Sequence, residues 1–332
     1  MKSSIINVIG AGAWGTALAH AYANEGHDVT LWAREESVIA SINDHHMNDD
    51  FLPNHPLCPA LKVTGDLQSV LKADAILLVT PAQYIRATLR GLKDQLHPDT
   101  PLIICAKGIE IETGSLFSQI MFEEIPHIPY AIFTGPTFAA EVAKDHPVAM
   151  TLAVSQKEWG TKLQTLLAAK TIRPYLSEDL IGTQIGSAVK NVIAIACGIV
   201  NGCGLGESTR AAILTRGLSE MARLAVAMGG KRETLMGMCG VGDMILTCSS
   251  MQSRNFSFGA MIGQGKTVQE ILDSRNSVTE GVYTAKALQV LARKNAIEMP
   301  ICQAVYDAVI DQKPIKEIMN DLLGRPLKPE TH

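Results

Sequence analysis

The first half of the chain alternates short apolar runs with stretches of helical periodicity. Residues 5–9, 28–32, 75–79 and 101–105 carry few polar positions, and 131–133 and 149–154 repeat the pattern. Runs this short and apolar on both faces predict buried strands, because a half-exposed strand alternates polar with apolar residues. A helix is predicted over 16–25, stopped by Gly26. Strands spaced by helices form a parallel sheet covered on both faces.

Beyond about residue 181 the strand-like runs cease. Helical spacing covers 184–200, 209–228, 232–238, 267–272, 281–294 and 301–310. The fold class is therefore α/β, with a parallel-sheet domain over 1–185 and an all-helical domain over 186–332. A chain of 332 residues exceeds what one core usually serves. No repeat and no Pro- or Gly-rich linker interrupts it, so the two domains should pack tightly. A cleft between them is the natural place for a ligand.

Composition narrows the function classes. Hydrophobic residues make up 47% and charged residues 19%, the balance of a folded chain. The formal net charge is −4, with no run of Lys and Arg to grip nucleic acid, whereas a small anion needs only a few local cations. Seven cysteines, an odd count without C-x-x-C spacing, argue against a disulfide framework and against a metal site. Reduced buried thiols fit the cytoplasm. The chain enters its first strand without the features of a signal peptide. The apolar stretch 189–200, interrupted by Lys190 and Asn191, is too short to span a membrane.

The first strand ends in Gly10-Ala11-Gly12-Ala13-Trp14-Gly15, and a helix opens there. In that context G-x-G-x-x-G marks a Rossmann-type dinucleotide site. Gly10 permits the tight turn, Gly12 lets backbone approach a pyrophosphate, and Gly15 packs helix against strand. The second strand ends in Arg34, not in an acidic residue, which favours a 2′-phosphate and so NADP(H). Glu35 and Glu36 follow it, which leaves use of NAD(H) open as well.

Lys107 and Gly135 each follow a strand, at the end where ligands bind in such sheets. Taken alone, Lys107 is a loop lysine. Lys190 stands among Ile185, Gly186, Ala188, Val189, Val192 and Ile193, where an ammonium is costly to bury without a partner or a task. Gly186, one turn earlier, would leave room beside the amine. Burial lowers a lysine pKa and suits it to proton transfer. Asp243 ends a Gly-Val-Gly-Asp turn, and Ser253-Arg254-Asn255 offers a hydroxyl, a guanidinium fork and an amide to a phosphoryl group. Each reads as a polar loop.

In their order along the chain, Gly10-x-Gly12-x-x-Gly15-Thr16-Ala17, Ala106-Lys107-Gly108, Gly135-Pro136-Thr137-Phe138-Ala139, Val189-Lys190-Asn191-Val192, Gly240-x-Gly242-Asp243 and Ser253-Arg254-Asn255 resemble the bacterial-type NAD(P)-dependent glycerol-3-phosphate dehydrogenases. The resemblance runs from residue 5 to Leu322-Leu323-Gly324-Arg325. It implies interconversion of dihydroxyacetone phosphate and sn-glycerol 3-phosphate, with the product feeding phospholipid synthesis. It implies that Lys190 is the proton acceptor in oxidation. It implies that Lys107, Gly135, Thr137, Lys190, Asp243, Ser253, Arg254 and Asn255 surround the substrate. The cofactor residues it implies are Trp14, Arg34, Lys107, Ala139, Arg254, Val278 and Glu280, beside the glycine loop. Ala13 departs from the serine often found there, which removes one hydroxyl donor. A cytoplasmic homodimer is the expected assembly. Two rival readings stay open: a β-hydroxyacid or 6-phosphogluconate-type dehydrogenase, and a non-catalytic NADPH sensor.

Overall fold

The structure is a computed structural model that describes residues 3–274, 279–327 and 329–330. Its sheet has eight strands: β1 (Ile6–Ile9), β2 (Thr30–Trp32), β3 (Lys62–Thr64), β4 (Ala75–Leu78), β5 (Leu102–Ile104), β6 (Tyr130–Thr134), β7 (Val148–Ala153) and β8 (Ile172–Ser177). Their spatial order is β3-β2-β1-β4-β5-β6-β7-β8. Side chains alternate between two cores. Val8, Leu31, Leu77, Ile103 and Phe133 face one, and Ile9, Ile76, Leu78, Ile104 and Ile132 face the other. This two-sided burial is why the strand runs are apolar throughout.

Three features depart from the expected sheet. First, β7 pairs antiparallel with β6, although the apolar pattern predicts parallel pairing. The link between them holds only the short helix Ala139–Val142, too little chain to return β7 to the starting edge. Second, β3 is three residues long with Lys62 exposed, so it leaves no apolar run. Third, β8 alternates buried Ile172 and Pro174 with exposed Arg173 and Tyr175. A proline is tolerated there because β8 is an edge strand.

Among the described residues no strand follows Ser177. Asp179 caps the helix Leu180–Gly202, accepting from the Gly182 N–H at 2.8 Å and from the Lys231 N–H at 2.7 Å. The expected boundary at 185 falls inside this unbroken helix. By length and composition the helix could cross a membrane, but every residue from 182 to 200 is buried in the protein core.

The helix Arg254–Gly263 packs against it through four glycines. A Cβ on Gly198 or Gly202 would strike the Phe256 or Ala260 carbonyl, and one on Gly259 or Gly263 would strike the Ile195 or Ile199 carbonyl. The interlock works in both directions, so neither helix can acquire side chains there. Ser253, expected in a polar loop, instead caps this helix by accepting from the Phe256 N–H at 3.2 Å.

The helix predicted over 232–238 is a 3-10 turn, Glu233–Met236, followed by a π turn, Met238–Gly242, that feeds the helix Asp243–Thr247. Gly186 serves this turn. The space it leaves is filled by the Cys239 backbone, whose oxygen a Cβ would meet at 2.6 Å, and not by the Lys190 amine.

Gly259→Val should therefore lower the stability of the folded chain by about 3 kcal/mol, the upper range for overpacking a close helix contact. Urea unfolding measures this, and an unchanged midpoint would show that the helices do not depend on the interlock.

Candidate active site

The strand order reverses between β1 and β4, which opens a crevice at their carboxyl ends. Gly10 turns the chain there with φ of +116°, and a Cβ on it would meet the Val79 carbonyl carbon at 3.0 Å. A Cβ on Gly15 would collide with the Gly10 carbonyl oxygen. Gly12 heads the helix Ala13–Asn24 without a side-chain cap, and the space beyond its Cα is open. Uncapped N–H groups at a helix start with open space before them suit phosphate oxygens. Three buried polar atoms along the crevice lack a protein partner among the described residues: Trp14 Nε1, Thr80 Oγ1 and Glu280 Oε2. The other oxygen of Glu280 accepts from the Ala82 N–H at 3.4 Å. Burial raises the Glu280 pKa, against the Ala82 N–H and the Arg254 charge. A dinucleotide offers both the phosphates and the hydroxyl and amide groups these atoms call for.

Beside the crevice two lysines share one carboxylate. Lys107, just past β5, donates to Asp243 Oδ2 at 2.8 Å and to the Gly135 carbonyl at 2.9 Å. Lys190 donates to Asp243 Oδ1 at 2.5 Å and to the Thr247 hydroxyl at 2.7 Å. Asp243 is wholly buried and Lys190 is 4% exposed. Burial pushes the Asp243 carboxyl up, but the two ammonium groups outweigh it and hold its pKa below the ordinary value. Burial lowers the Lys190 pKa to about 8, with Asp243 opposing the shift and Lys107 adding to it. The sequence offers Asp243 either to Lys190 or to a substrate hydroxyl alone; the structure has the first and adds Lys107.

A second linkage ties the helix that carries Lys190 to its neighbours. Asn255 donates from Nδ2 to Asn191 Oδ1 at 3.0 Å and accepts the Gly281 N–H on Oδ1 at 2.9 Å. Three helices thus meet on one amide, Leu180–Gly202, Arg254–Gly263 and Glu280–Lys294. Arg254 is accessible to solvent, yet enough protein surrounds its head to lower its pKa, with Glu280 acting in the opposite sense.

The remaining residues singled out in the sequence lie as follows. Thr137 is half-buried after β6, with its hydroxyl 3.5 Å from the Gly135 carbonyl. A Cβ on Gly135 would meet the Ala149 carbonyl at 2.9 Å. Ala139 opens a short helix. Arg34, after β2, pairs with Glu35 at 2.7 Å. Val278 lies outside the described residues. Sequence reasoning passed over Thr80 and Thr247 and quoted Asn191 only within the Lys190 motif, with no role of its own. Thr247 had a signal, since it stands four residues after Asp243 on one helical turn and accepts from Lys190 beside it.

Comparison with known proteins decides the family. Residues 5–173 match the NAD-dependent glycerol-3-phosphate dehydrogenase N-terminus, and residues 179–320 match the NAD-dependent glycerol-3-phosphate dehydrogenase C-terminus. The chain belongs to the NAD-dependent glycerol-3-phosphate dehydrogenase family. It is 48% identical over 326 residues to the glycerol-3-phosphate dehydrogenase [NAD(P)+] of Parvibaculum lavamentivorans, covering 98% of each chain. The enzyme of the same name from Hyphomonas neptunium is 49% identical, over 97% of this chain and 96% of that one. The crystal structure of glycerol-3-phosphate dehydrogenase from Coxiella burnetii superposes with a TM-score of 0.93 at 35% identity, covering 97% of this chain and 99% of that one. The family match favours the glycerol phosphate reading over both rivals.

Proposed function

We infer that this protein interconverts dihydroxyacetone phosphate and sn-glycerol 3-phosphate in the cytoplasm, using NADP(H) and, less strongly, NAD(H). The observation that carries the reading is a buried lysine of pKa about 8, paired with a buried carboxylate at the edge of a dinucleotide crevice. Seven free cysteines support a reducing compartment.

When bound, the nicotinamide ring supplies a hydride to the ketone carbon, or takes it back in oxidation. Trp14 Nε1, Thr80 Oγ1 and Glu280 Oε2 are the side-chain atoms available to hold the dinucleotide beside the glycine loop. In reduction the Lys190 ammonium gives a proton to the carbonyl oxygen, which becomes the hydroxyl of the product. In oxidation the Lys190 amine takes that proton back. Lys107 keeps a positive charge near the oxygen as it gains electrons. Asp243 holds both ammonium groups and stays ionised through the cycle. Arg254, at the start of its helix, receives the substrate phosphate, with Ser253, Asn255 and Thr137 around it.

Reduction needs the ammonium, so its rate should fall as pH rises through about 8, and oxidation should rise through the same pH. Asp243→Asn removes a group that keeps the proton on Lys190, so the surviving activity should lose its reductive limb at lower pH. Lys190→Ala should lower kcat about a hundredfold or more while NADPH still binds. NADPH consumption with dihydroxyacetone phosphate, and NADPH formation from NADP+ with β-hydroxyacids or 6-phosphogluconate, measured in parallel test the reading. Equal turnover of the other substrates, or NADPH binding with no turnover at all, would overturn it.

Arg34 is proposed to read the 2′-phosphate. Arg34→Asp should weaken NADPH by charge repulsion and leave NADH nearly unchanged. Equal loss for both cofactors would remove Arg34 from that role.

Arg254→Ala should lower kcat/KM for dihydroxyacetone phosphate by about 3 kcal/mol, the range for losing one partner of a charge contact that the bound substrate would close off from water. The slow rate on unphosphorylated dihydroxyacetone should match wild type. A proportional fall on both substrates would assign Arg254 to the cofactor or the fold instead.

A further inference from the structure

The segment from His46 to Cys58 follows the helix Glu36–His45 and contributes nothing to the chemistry above. Its base is closed. The Leu57 N–H donates to the His46 carbonyl at 2.8 Å, and the Cys58 N–H donates to His20 Nδ1 at 2.9 Å. Near its start Asn48 is wholly buried. The Asn48 amide donates to the Ala11 carbonyl at 2.9 Å and to the Thr16 hydroxyl oxygen at 2.7 Å. That hydroxyl donates in turn to the same Ala11 carbonyl at 3.2 Å. Asn48 Oδ1 accepts from the Phe51 N–H at 3.2 Å, so the amide cannot flip without losing bonds at both ends.

Ala11 lies between Gly10 and Gly12 in the glycine loop. A peptide unit is planar and trans, so its C=O and N–H point in opposite directions. Holding the Ala11 carbonyl therefore aims the Gly12 N–H the other way, at the head of a helix with no side-chain cap. Without that hold, a glycine-flanked peptide samples many orientations.

We propose that Asn48 is a positioning residue for the dinucleotide, fixing the Ala11–Gly12 peptide so that the loop meets a pyrophosphate already oriented. The proposal rests on the reading of the glycine loop as the dinucleotide site. Calorimetric titration with NADPH tests it without turnover. Asn48→Ala should raise the NADPH dissociation constant about tenfold, the worth of one hydrogen bond. Thr16→Val removes the other leg of the triangle and should weaken NADPH too. The double variant should lose less than the two single losses combined, because both act on one carbonyl. In kinetics the loss should fall on the cofactor KM and leave the KM for dihydroxyacetone phosphate in place. A merely structural role would lower Tm and leave NADPH affinity of the folded protein unchanged, which overturns the proposal. If Asn48→Ala does not fold, unchanged affinity in Thr16→Val overturns it equally. Failure of the wild-type protein to bind NADPH would instead sink the reading of the loop itself.

Discussion

One carboxylate, Asp243, lies wholly buried between two ammonium groups that come from different halves of the chain. Lys107 reaches it from the end of a sheet strand and Lys190 from the long helix of the other half. Removing one member of such a buried group leaves an uncompensated charge, which typically costs about 3–5 kcal/mol. With both lysines protonated, the cluster as a whole carries one positive charge beyond neutrality. Burial disfavours the charged form of Lys190. Asp243 opposes that, and the balance leaves a pKa of about 8. A group at that value can give and take a proton near neutrality, as a reversible dehydrogenase requires.

Much of the surrounding architecture serves this contact. Asp243 reaches Lys190 because a π turn brings its backbone against Gly186, and Gly186 has no side chain to keep it away. The four-glycine interlock sets Lys190 and Arg254 on helices whose backbones nearly touch. Asn255 then fixes the register by joining Asn191 to the Gly281 N–H. Glycine in a helix is unfavourable by about 1 kcal/mol each, so these positions are stabilised by tertiary packing and not by propensity. The same rigidity holds the Lys190 ammonium and the Arg254 guanidinium on one frame, as the proposed roles would require.

The glycine loop and Lys190 were legible in the sequence because context and contrast reveal them: a strand before the glycines, and a charge among aliphatic residues. The pairing of Lys190 with Asp243 was legible only as one of two alternatives. Asp243 lies 53 residues further along the chain, and the π turn that delivers it has no periodic signature. β3 and β8 were missed because short or edge strands need not be apolar on both faces. Ser253-Arg254-Asn255 read as a loop because three consecutive polar residues hide the start of a helix. A serine three residues before Phe256 is equally a helix cap, and the run from Phe256 onward has the apolar spacing of a helix. The antiparallel turn at β7 depended on how little chain separates it from β6, a length argument that apolar patterning does not contain.

The two ends of the proposed site differ in dielectric surroundings, and that difference bears on how each can vary. The Lys190 side chain is 6% exposed and its charge interactions are barely screened, so a change there alters protonation and chemistry together. The Arg34 side chain is 75% exposed, and its pair with Glu35 lies in water. Exposed pairs of this kind contribute about 0–1 kcal/mol and weaken with salt. A 2′-phosphate would therefore meet a guanidinium that leaves Glu35 easily, while a plain ribose would find Glu35 and Glu36 close by in sequence. With the roles proposed above, preference between the two dinucleotides would rest on a small, salt-sensitive difference, whereas proton transfer would rest on a buried one. Such a division lets cofactor choice drift by single surface substitutions without disturbing the chemistry.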